Sequence, residues 1–141
     1  EAMADESEER LSGLLLHYLR RELVPQRPAA EREARLRLTR IWNMVRNAPA
    51  HDWNVGALAS EAHMSPGHFN RMVEKLYGDT PMRMVLRLRM EHAAMRLQTS
   101  SMSLDEIAIE TGYRTAYAFS NAFLRYSGKR PGRFRSNQVE S

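Results

Sequence analysis

The chain contains no cysteine, which excludes disulfide bonds, thiolate zinc sites and cysteine nucleophiles. Aromatic residues make up only 8% of its 141 residues, and segments with the alternating pattern of strands are scarce, which favours an all-α fold. The sequence has no apolar run near the roughly 18 residues that a membrane-spanning helix needs, and no secretory signal peptide is visible. Together these absences favour a cytoplasmic protein.

Acidic residues are missing from one long segment in which basic residues collect. Residues 111–136 contain six basic side chains and no acidic one, whereas the first ten residues contain five acidic side chains and one arginine. All but two of the 21 basic residues are arginine, the side chain that can form paired hydrogen bonds with phosphate or guanine. The distribution fits either a nucleic-acid-binding surface or a solvated basic face.

One stretch of the sequence is repeated, once over Leu58–Pro81 and once over Ile107–Pro131. Each copy predicts a helix, a tight turn and a second helix. Two such units about 50 residues apart on a basic chain suggest two recognition helices that reach two grooves of one DNA duplex. In the first helix of each copy, Ala59 matches Ala108 and Glu61 matches Glu110. The second copy then has one extra residue, after which Phe69 matches Phe119, Gly78 matches Gly128 and Pro81 matches Pro131.

Capping residues predict where the first helix of each copy begins. Asn54 and Ser103 stand at the N-cap positions, and Ser103 with Glu106 has the spacing of a capping box. In the first copy Ser65 is the predicted N-cap of the second helix, followed by Pro66.

The turn in each copy predicts an unusual backbone conformation. The turn of a helix-turn-helix needs a residue at positive φ, which Gly112 provides in the second copy. His63 occupies the same place in the first copy, so we predict that its backbone is strained and that it has no catalytic role.

The sequence divides into four predicted segments: residues 1–30, 31–79, 80–102 and 103–137. The first holds an acidic stretch, a helix capped by Asp5 and Glu8 that ends before Pro25, and a linker over 25–30. The second and fourth are the two helix-turn-helix subdomains, and the second begins with a helix over 31–47.

The third segment is a long connecting helix that Thr80 caps and that ends near Gln98. Its apolar residues recur at helical spacing and predict one continuous face packed in the core. A rigid helix of this kind would fix the separation and angle of the two recognition helices. The residues of the predicted face are Met82, Leu86, Met90, Ala93 and Leu97.

No arrangement of side chains in the sequence predicts an enzyme, a metal site or a cofactor. His63 and His68 straddle the predicted turn and lack an obvious third ligand. Glu106 is accounted for by capping, and the recurrence of Glu61 and Glu110 indicates a structural role, such as pairing with a nearby basic residue. A phosphate-binding glycine loop and a nucleophile elbow are also missing from the sequence.

The stretch from about Trp53 to Arg135 resembles the C-terminal DNA-binding domain of AraC/XylS-type bacterial transcription regulators. The resemblance is carried by LASEAHMSPGHFNRMVEKLYGDTP, by Arg89, Met90 and Ala93, and above all by LDEIAIETGY and AFSNAFLRYSGKRPGRFR. It implies a regulator that binds double-stranded DNA, and RNA polymerase as a further partner if it is an activator. It also implies an effector-binding or dimerisation domain upstream, with the first helix in the interdomain region. The lack of a long apolar run predicts no membrane partner.

Helical spacing separates the core side of each recognition helix from its outward side. The expected core residues are Phe69, Met72, Val73 and Leu76 in the first and Ala118, Phe119, Ala122 and Phe123 in the second. The outward residues include the positions at which the resembling family reads bases. The predicted base-reading residues are Gly67, His68, Asn70, Arg71, Ala116, Tyr117, Ser120 and Asn121.

Asn70 suits adenine and Arg71 suits guanine, although Arg71 could also contact phosphate or form an internal ion pair, and Asn70 could be an ordinary surface residue. Basic and hydroxyl side chains beside the two helices are candidates for phosphate contacts. They are Ser65, Lys75, Arg114, Thr115, Arg125, Lys129 and Arg130, with Arg133 and Arg135 as further candidates or members of a solvated face.

The second recognition helix departs from the family pattern. Asn121 replaces a frequent arginine, and Tyr117 stands where a small polar residue is common. We therefore expect the first helix to specify sequence and the second to rely more on shape, water and phosphate contacts. The alternative function is an all-α protein-interaction module without specific DNA binding, which the loss of direct-readout residues at Gly67, Ala116 and Asn121 keeps open.

Overall fold

The computed structural model of this protein describes residues 10, 12 and 15 and the continuous stretch 29–139. The continuous stretch forms seven helices and no strand, which confirms the all-α prediction. The predictions for Asp5, Glu8 and the helix before Pro25 lie outside the described residues. The helices are α1 (29–47), α2 (Val55–Glu61), α3 (Pro66–Tyr77), α4 (Pro81–Thr99), α5 (Leu104–Glu110), α6 (Ala116–Ser127) and α7 (Pro131–Val139).

The chain separates into two compact units, Glu1–Arg37 and Leu38–Ser141. In the first unit, an ion pair between Arg37 and Glu33 with an N–O distance of 2.8 Å supports the start of α1. Ala29 and Ala30 already belong to this helix, so the prediction that they are part of a linker was wrong. Alanine has the highest helix propensity, and two alanines extend α1 towards its N-terminus.

The second unit contains two hydrophobic cores, one for each helix-turn-helix subdomain. α1, α2 and α3 pack against the first part of α4 around the first core, where the indole of Trp42 lies 6.2 Å from the ring of Phe69 between centroids. Its fully buried apolar side chains include Leu38, Ile41, Val45, Leu58, Ala59, Phe69, Val73 and Val85.

The second core lies between the last part of α4 and helices α5, α6 and α7. Phe119 and Phe123 of α6 fill its centre, and Phe134 of α7 packs edge-on against Phe123 at 5.2 Å between ring centroids. Aromatic pairs of this geometry add stabilisation beyond the area they remove from water. The other buried members are Met90, Ala93, Leu97, Ile107, Ala108 and Ala122.

The prediction of one continuous buried face on α4 was wrong for its first half. Met82 and Leu86 are exposed, while Met84, Val85 and Leu88 are buried in the first core. Met90, Ala93 and Leu97 of the same predicted face are buried as expected, but in the second core. Successive residues are roughly 100° apart around a helix, so the two buried groups lie on nearly opposite sides of α4.

The predicted turns are confirmed. His63 has φ 57° and Gly112 has φ 90°. Each follows its helix in the same way: the N–H of Met64 donates to the carbonyl of Ala59, and the N–H of Tyr113 donates to that of Ala108. This six-to-one bond is the Schellman ending of a helix, so both copies reverse direction by the same device.

The predicted caps are confirmed as well. The side chain of Asn54 accepts a hydrogen bond from the N–H of Ala57, and that of Thr80 accepts one from Arg83. Ser103 and Glu106 form both hydrogen bonds of the capping box. The starts of α2, α4 and α5 are thus fixed by side chains that the sequence identifies.

Glu110 has the structural role that its recurrence predicts. Its carboxylate accepts hydrogen bonds from Arg96 at 2.8 Å and from the imidazole of His92 at 2.7 Å, which ties α5 to α4. Partial burial alone would raise the pKa of Glu110, but the hydrogen bonds and charges of His92 and Arg96 outweigh burial and lower it. At Glu61 the main-chain carbonyl, not the carboxylate, is hydrogen-bonded by Arg40.

Candidate nucleic-acid interface

α3 presents one buried side and one exposed side. Phe69 and Val73 are fully buried and Met72 and Leu76 pack partly buried against the first core, so the predicted core side is confirmed. The opposite side is open to solvent along the whole helix. Its exposed residues are Gly67, His68, Asn70, Arg71, Glu74 and Lys75.

The guanidinium of Arg71 lies over the first turn of α3. A Cβ added at Gly67 would lie 3.4 Å from Arg71 Nη1, so the guanidinium lies close to the backbone of Gly67. Within 29–139, Arg71 forms no ion pair, so no carboxylate holds its guanidinium in place. Arg71 therefore offers its hydrogen-bond donors to whatever approaches the exposed side of α3.

Hydroxyl groups cap both recognition helices. Ser65 Oγ accepts a hydrogen bond from the N–H of His68 at 3.2 Å, and Thr115 Oγ1 accepts one from Ala118 at 3.0 Å. Each hydroxyl keeps its own proton, which it can still donate to a phosphate oxygen. The other N–H groups of the first turn point out of the N-terminus of each helix, and this end of a helix favours a bound anion.

The core side of α6 is confirmed for three of its four predicted residues. Phe119, Ala122 and Phe123 are buried, but Ala118 is exposed. Ala118 lies roughly 100° around the helix from Phe119 and farther from Phe123, so it falls outside the narrow stripe that faces the second core. The prediction that Ala118 packs in the core was wrong because this stripe is narrower than the sequence suggests.

The outward side of α6 is more enclosed than that of α3. Tyr117 has 76% of its surface exposed, whereas Ala116, Ser120 and Asn121 are only half-exposed. Arg130 Nη1 donates to Ser120 Oγ at 2.9 Å and to Asn121 Oδ1 at 3.3 Å. Two predicted base-reading residues and one predicted phosphate contact are therefore joined in a single cluster.

The basic side chains around α6 do not all face solvent. Arg114, Arg125 and Lys129 are exposed, as is Arg133. Arg135 instead turns inward: its Nε points to the carbonyl of Leu97 at 3.4 Å, and its Nη2 is buried without a hydrogen-bond partner. Arg135 is thus partly enclosed between α7 and α4, whereas the other four basic side chains face solvent.

An open cleft of about 720 Å³ lies beside the C-terminal end of α6. Three of its lining residues are basic, and the described part of the chain gives none of these three an ion pair. Unpaired cations along one cleft favour an anionic ligand. The lining residues are Leu124, Gly128, Lys129, Arg130, Arg133 and Asn137.

Arg89 is a residue whose position the sequence pattern did not predict. Its Nε donates to the carbonyl of Pro49 and its Nη2 to that of His51, both at 2.9 Å. On its other side the guanidinium approaches Gly112, where an added Cβ would lie 3.4 Å away. Arg89 thus contacts both subdomains. The sequence offers two signals: Arg89 is among the residues that carry the family resemblance, and it stands between Leu88 and Met90, two buried residues that serve different cores.

Neither a metal site nor a membrane span emerges from the described residues. Among them, no three His, Cys, Asp or Glu side chains are grouped so that they could hold a metal ion. The same residues include no helix that is both long and apolar enough to cross a membrane.

Comparison with known proteins gives consistent matches. A family profile described as a helix-turn-helix domain matches residues 58–137. The chain is 33% identical over 99 residues to the RCS-specific HTH-type transcriptional activator RclR of Escherichia coli, covering 70% of this chain and 35% of that protein. It is 36% identical over 91 residues to a putative AraC-like transcription regulator of Streptomyces antibioticus, covering 64% of this chain and 30% of that protein.

Solved structures agree in fold. The DNA-binding domain of AdpA, a global transcriptional factor solved in complex with a target DNA, matches with a TM-score of 0.66 and 29% identity, over 71% of this chain and 90% of that one. A regulator with an AraC-type DNA-binding domain from Chromobacterium violaceum matches with a TM-score of 0.70 and 20% identity, over 75% and 95%. The chain spans 35% to 47% of the length of the first three curated relatives.

Proposed function

This chain belongs to the AraC/XylS-type family of helix-turn-helix transcription regulators, and we propose that it inserts α3 and α6 into successive major grooves of one duplex. Successive grooves on one face of B-DNA lie about 34 Å apart. The observation that carries the proposal is the pair of helices with matched caps and matched core residues, each with a solvent-facing side, in two subdomains that α4 links. One molecule can then occupy an asymmetric site.

Base reading by α3 is assigned to Asn70 and Arg71, with Gly67 and His68 beside them. Asn70 and Arg71 are exposed, and they carry the donor and acceptor patterns that suit adenine and guanine in the major groove. Gly67 lies close to the Arg71 guanidinium. On α6 the corresponding surface consists of Ala116, Tyr117, Ser120 and Asn121.

Phosphate contacts are assigned to side chains that flank the two helices. Ser65 and Thr115 sit at helix N-termini, where backbone N–H groups already favour an anion. The exposed cations neutralise phosphate charge and add a salt-dependent, sequence-independent part of the affinity. They are Lys75, Arg114, Arg125 and Lys129.

The wider setting follows from the family. We propose that the protein acts in the cytoplasm, and that an effector-binding or dimerisation domain lies upstream of the helix-turn-helix subdomains in the whole protein. RNA polymerase is the proposed further partner if the protein activates transcription.

Selection of bound sites from a random duplex pool, followed by titration of the selected duplex at several salt concentrations, tests the proposal. We expect an enriched site with two half-sites one helical turn apart, and an affinity that falls steeply as salt rises. If the protein binds no duplex even at low salt, the alternative function, an all-α protein-interaction module without specific DNA binding, describes it better.

Two arginine variants separate base reading from phosphate binding. Arg71→Ala should remove roughly 1–3 kcal/mol of discrimination at one base position, and Arg71→Lys should remove it as well because lysine lacks the planar fork. Arg125→Ala should weaken binding to all sequences alike and make the salt dependence shallower. Equal, sequence-independent losses from Arg71→Ala and Arg125→Ala would contradict the role of Arg71.

A further inference from the structure

Arg130 occupies a position that normally caps a helix. Pro81 begins α4 and Pro131 begins α7, so Arg130 is the counterpart of Thr80. The hydroxyl of Thr80 accepts a hydrogen bond from the N–H of Arg83 at 3.3 Å. A guanidinium has no acceptor and cannot cap in this way. The side chain of Arg130 has instead turned back onto α6.

Two side chains on the outward side of α6 hold the guanidinium there. Nη1 of Arg130 donates to Ser120 Oγ at 2.9 Å and to Asn121 Oδ1 at 3.3 Å. Arg130 is exposed, and across 29–139 no carboxylate pairs with it. The result is an uncompensated positive charge fixed on the solvent side of a recognition helix.

The repeat explains why this placement matters. The register that matches Phe69 with Phe119 also matches Arg71 of α3 with Asn121 of α6. α3 therefore carries its own guanidinium at a position where α6 has an amide. Arg130 brings a guanidinium to that amide from outside the helix, so it supplies in space the arginine that α6 lacks at position 121.

The chemistry of the held guanidinium fits a base edge. An arginine has five N–H donors, and the two bonds to Ser120 and Asn121 both come from Nη1. The edge formed by Nε and Nη2 remains available, and its two parallel N–H groups match O6 and N7 of guanine.

Given the DNA-binding function proposed above, on which this inference rests, we infer that Arg130 is a base-reading residue that selects guanine in the half-site of α6. Ser120 and Asn121 position it. The half-site of α6 is then read directly, although α6 has an asparagine at position 121 and its own arginine, Arg125, lies in its last turn.

The test measures single-base preference at the half-site of α6. Duplexes carrying each of the four bases at each position of that half-site are titrated with the unsubstituted chain, with Arg130→Ala and with Arg130→Lys. The unsubstituted chain should prefer guanine at one position by about tenfold. Both variants should lose that preference, and Arg130→Lys should retain most of the overall affinity because it keeps the charge.

Two further variants serve as controls. Arg133→Ala removes a neighbouring cation that lines the same cleft, and it should lower affinity for all duplexes while the guanine preference remains. Asn121→Ala removes one of the two acceptors and should weaken the preference at the same position about threefold, without changing preferences in the half-site of α3.

The possible outcomes separate this inference from the function on which it rests. If Arg130→Ala weakens every duplex equally and makes the salt dependence shallower, Arg130 is a phosphate contact and the inference fails while DNA binding stands. An unsubstituted chain with no salt-dependent duplex binding would overturn the proposed function itself. If Arg130→Ala loses its helical circular dichroism signal, Arg130→Lys, which keeps the positive charge at this exposed position, decides between base reading and phosphate contact.

Discussion

At the scale of single residues, His63 and Gly112 occupy equivalent turns but differ in backbone strain. Both stand after the C-cap of a short helix and both have positive φ, 57° for His63 and 90° for Gly112. An L-residue with a side chain is disfavoured in this conformation, and the penalty is roughly 1–2 kcal/mol. His63 is exposed, so its imidazole gains little burial to offset that strain. The turn of the first subdomain is therefore the more strained of the two.

His63→Gly should stabilise the protein by about 1 kcal/mol, because glycine adopts positive φ without a steric penalty. The free energy of unfolding from guanidinium titration measures the change. His68→Gly is the matched control, since His68 is equally exposed but lies within α3. That control should destabilise by roughly 0.5–1 kcal/mol. A stability loss from His63→Gly would mean that the imidazole makes a contribution larger than the strain.

At the scale of elements, α4 is a helix with two buried sides. Its first half packs Val85 and Leu88 into the first core, and its second half packs Met90 and Leu97 into the second. Because the two groups lie on nearly opposite sides, the helix has no single apolar stripe along its length. The two subdomains consequently pack against different sides of one rigid rod, and the rod fixes how they are turned relative to each other.

Leu86 and Leu88, two residues apart on α4, should respond differently to truncation to alanine. Leu88→Ala should destabilise by about 2–4 kcal/mol because it opens a cavity in the first core, where Leu88 is 5% exposed. Leu86→Ala should cost less than about 1 kcal/mol, because Leu86 is 39% exposed and buries less area. Thermal or chemical unfolding of both variants provides the comparison. A loss of stability from Leu86→Ala as large as that from Leu88→Ala would mean that Leu86 is buried, as the sequence predicts.

At the scale of the whole molecule, Arg89 joins the two subdomains directly. It donates two hydrogen bonds to carbonyls of the loop between α1 and α2, and its guanidinium packs against Gly112 in the turn of the second subdomain. Hydrogen bonds from a charged donor are among the stronger ones in proteins, and here the bond to Pro49 is partly buried and that to His51 is exposed. Together with α4, this contact restricts the angle between α3 and α6, which sets the spacing of half-sites that the protein accepts.

Arg89→Ala should make the protein more tolerant of altered spacing. One base pair inserted between the half-sites moves the second by about 3.4 Å and rotates it by roughly 35°, and the unsubstituted chain should lose about tenfold in affinity for such a duplex. In Arg89→Ala this penalty should shrink to about threefold. The measurement is the ratio of dissociation constants for the two duplexes.

Arg87→Ala is the control for that experiment. Arg87 is on the same helix but pairs with Asp79 at an N–O distance of 3.2 Å, within the first subdomain. Its removal should leave the ratio unchanged. An undiminished penalty in Arg89→Ala would show that α4 alone holds the subdomains in register.

The sequence by itself determined the features that depend on local chemistry. Caps at Asn54, Ser65 and Ser103, and positive φ at His63 and Gly112, could be predicted because side-chain capping and steric limits on φ act within a few residues. The core side of α3 and most of that of α6 followed from helical periodicity. The resemblance to AraC/XylS-type domains rested on the same ordered pattern of small, apolar and glycine positions.

Only the tertiary structure decided which residues meet across the chain. Periodicity cannot reveal that α4 serves two cores on opposite sides, because that depends on where its neighbours pack. It cannot place Arg89 between two subdomains, turn Arg135 towards α4, or bring Arg130 onto Ser120 and Asn121. Long arginine side chains reach several ångströms in many rotamers, and only the surrounding acceptors select one. The sequence therefore locates the two recognition helices, and the packed structure determines what their surfaces present.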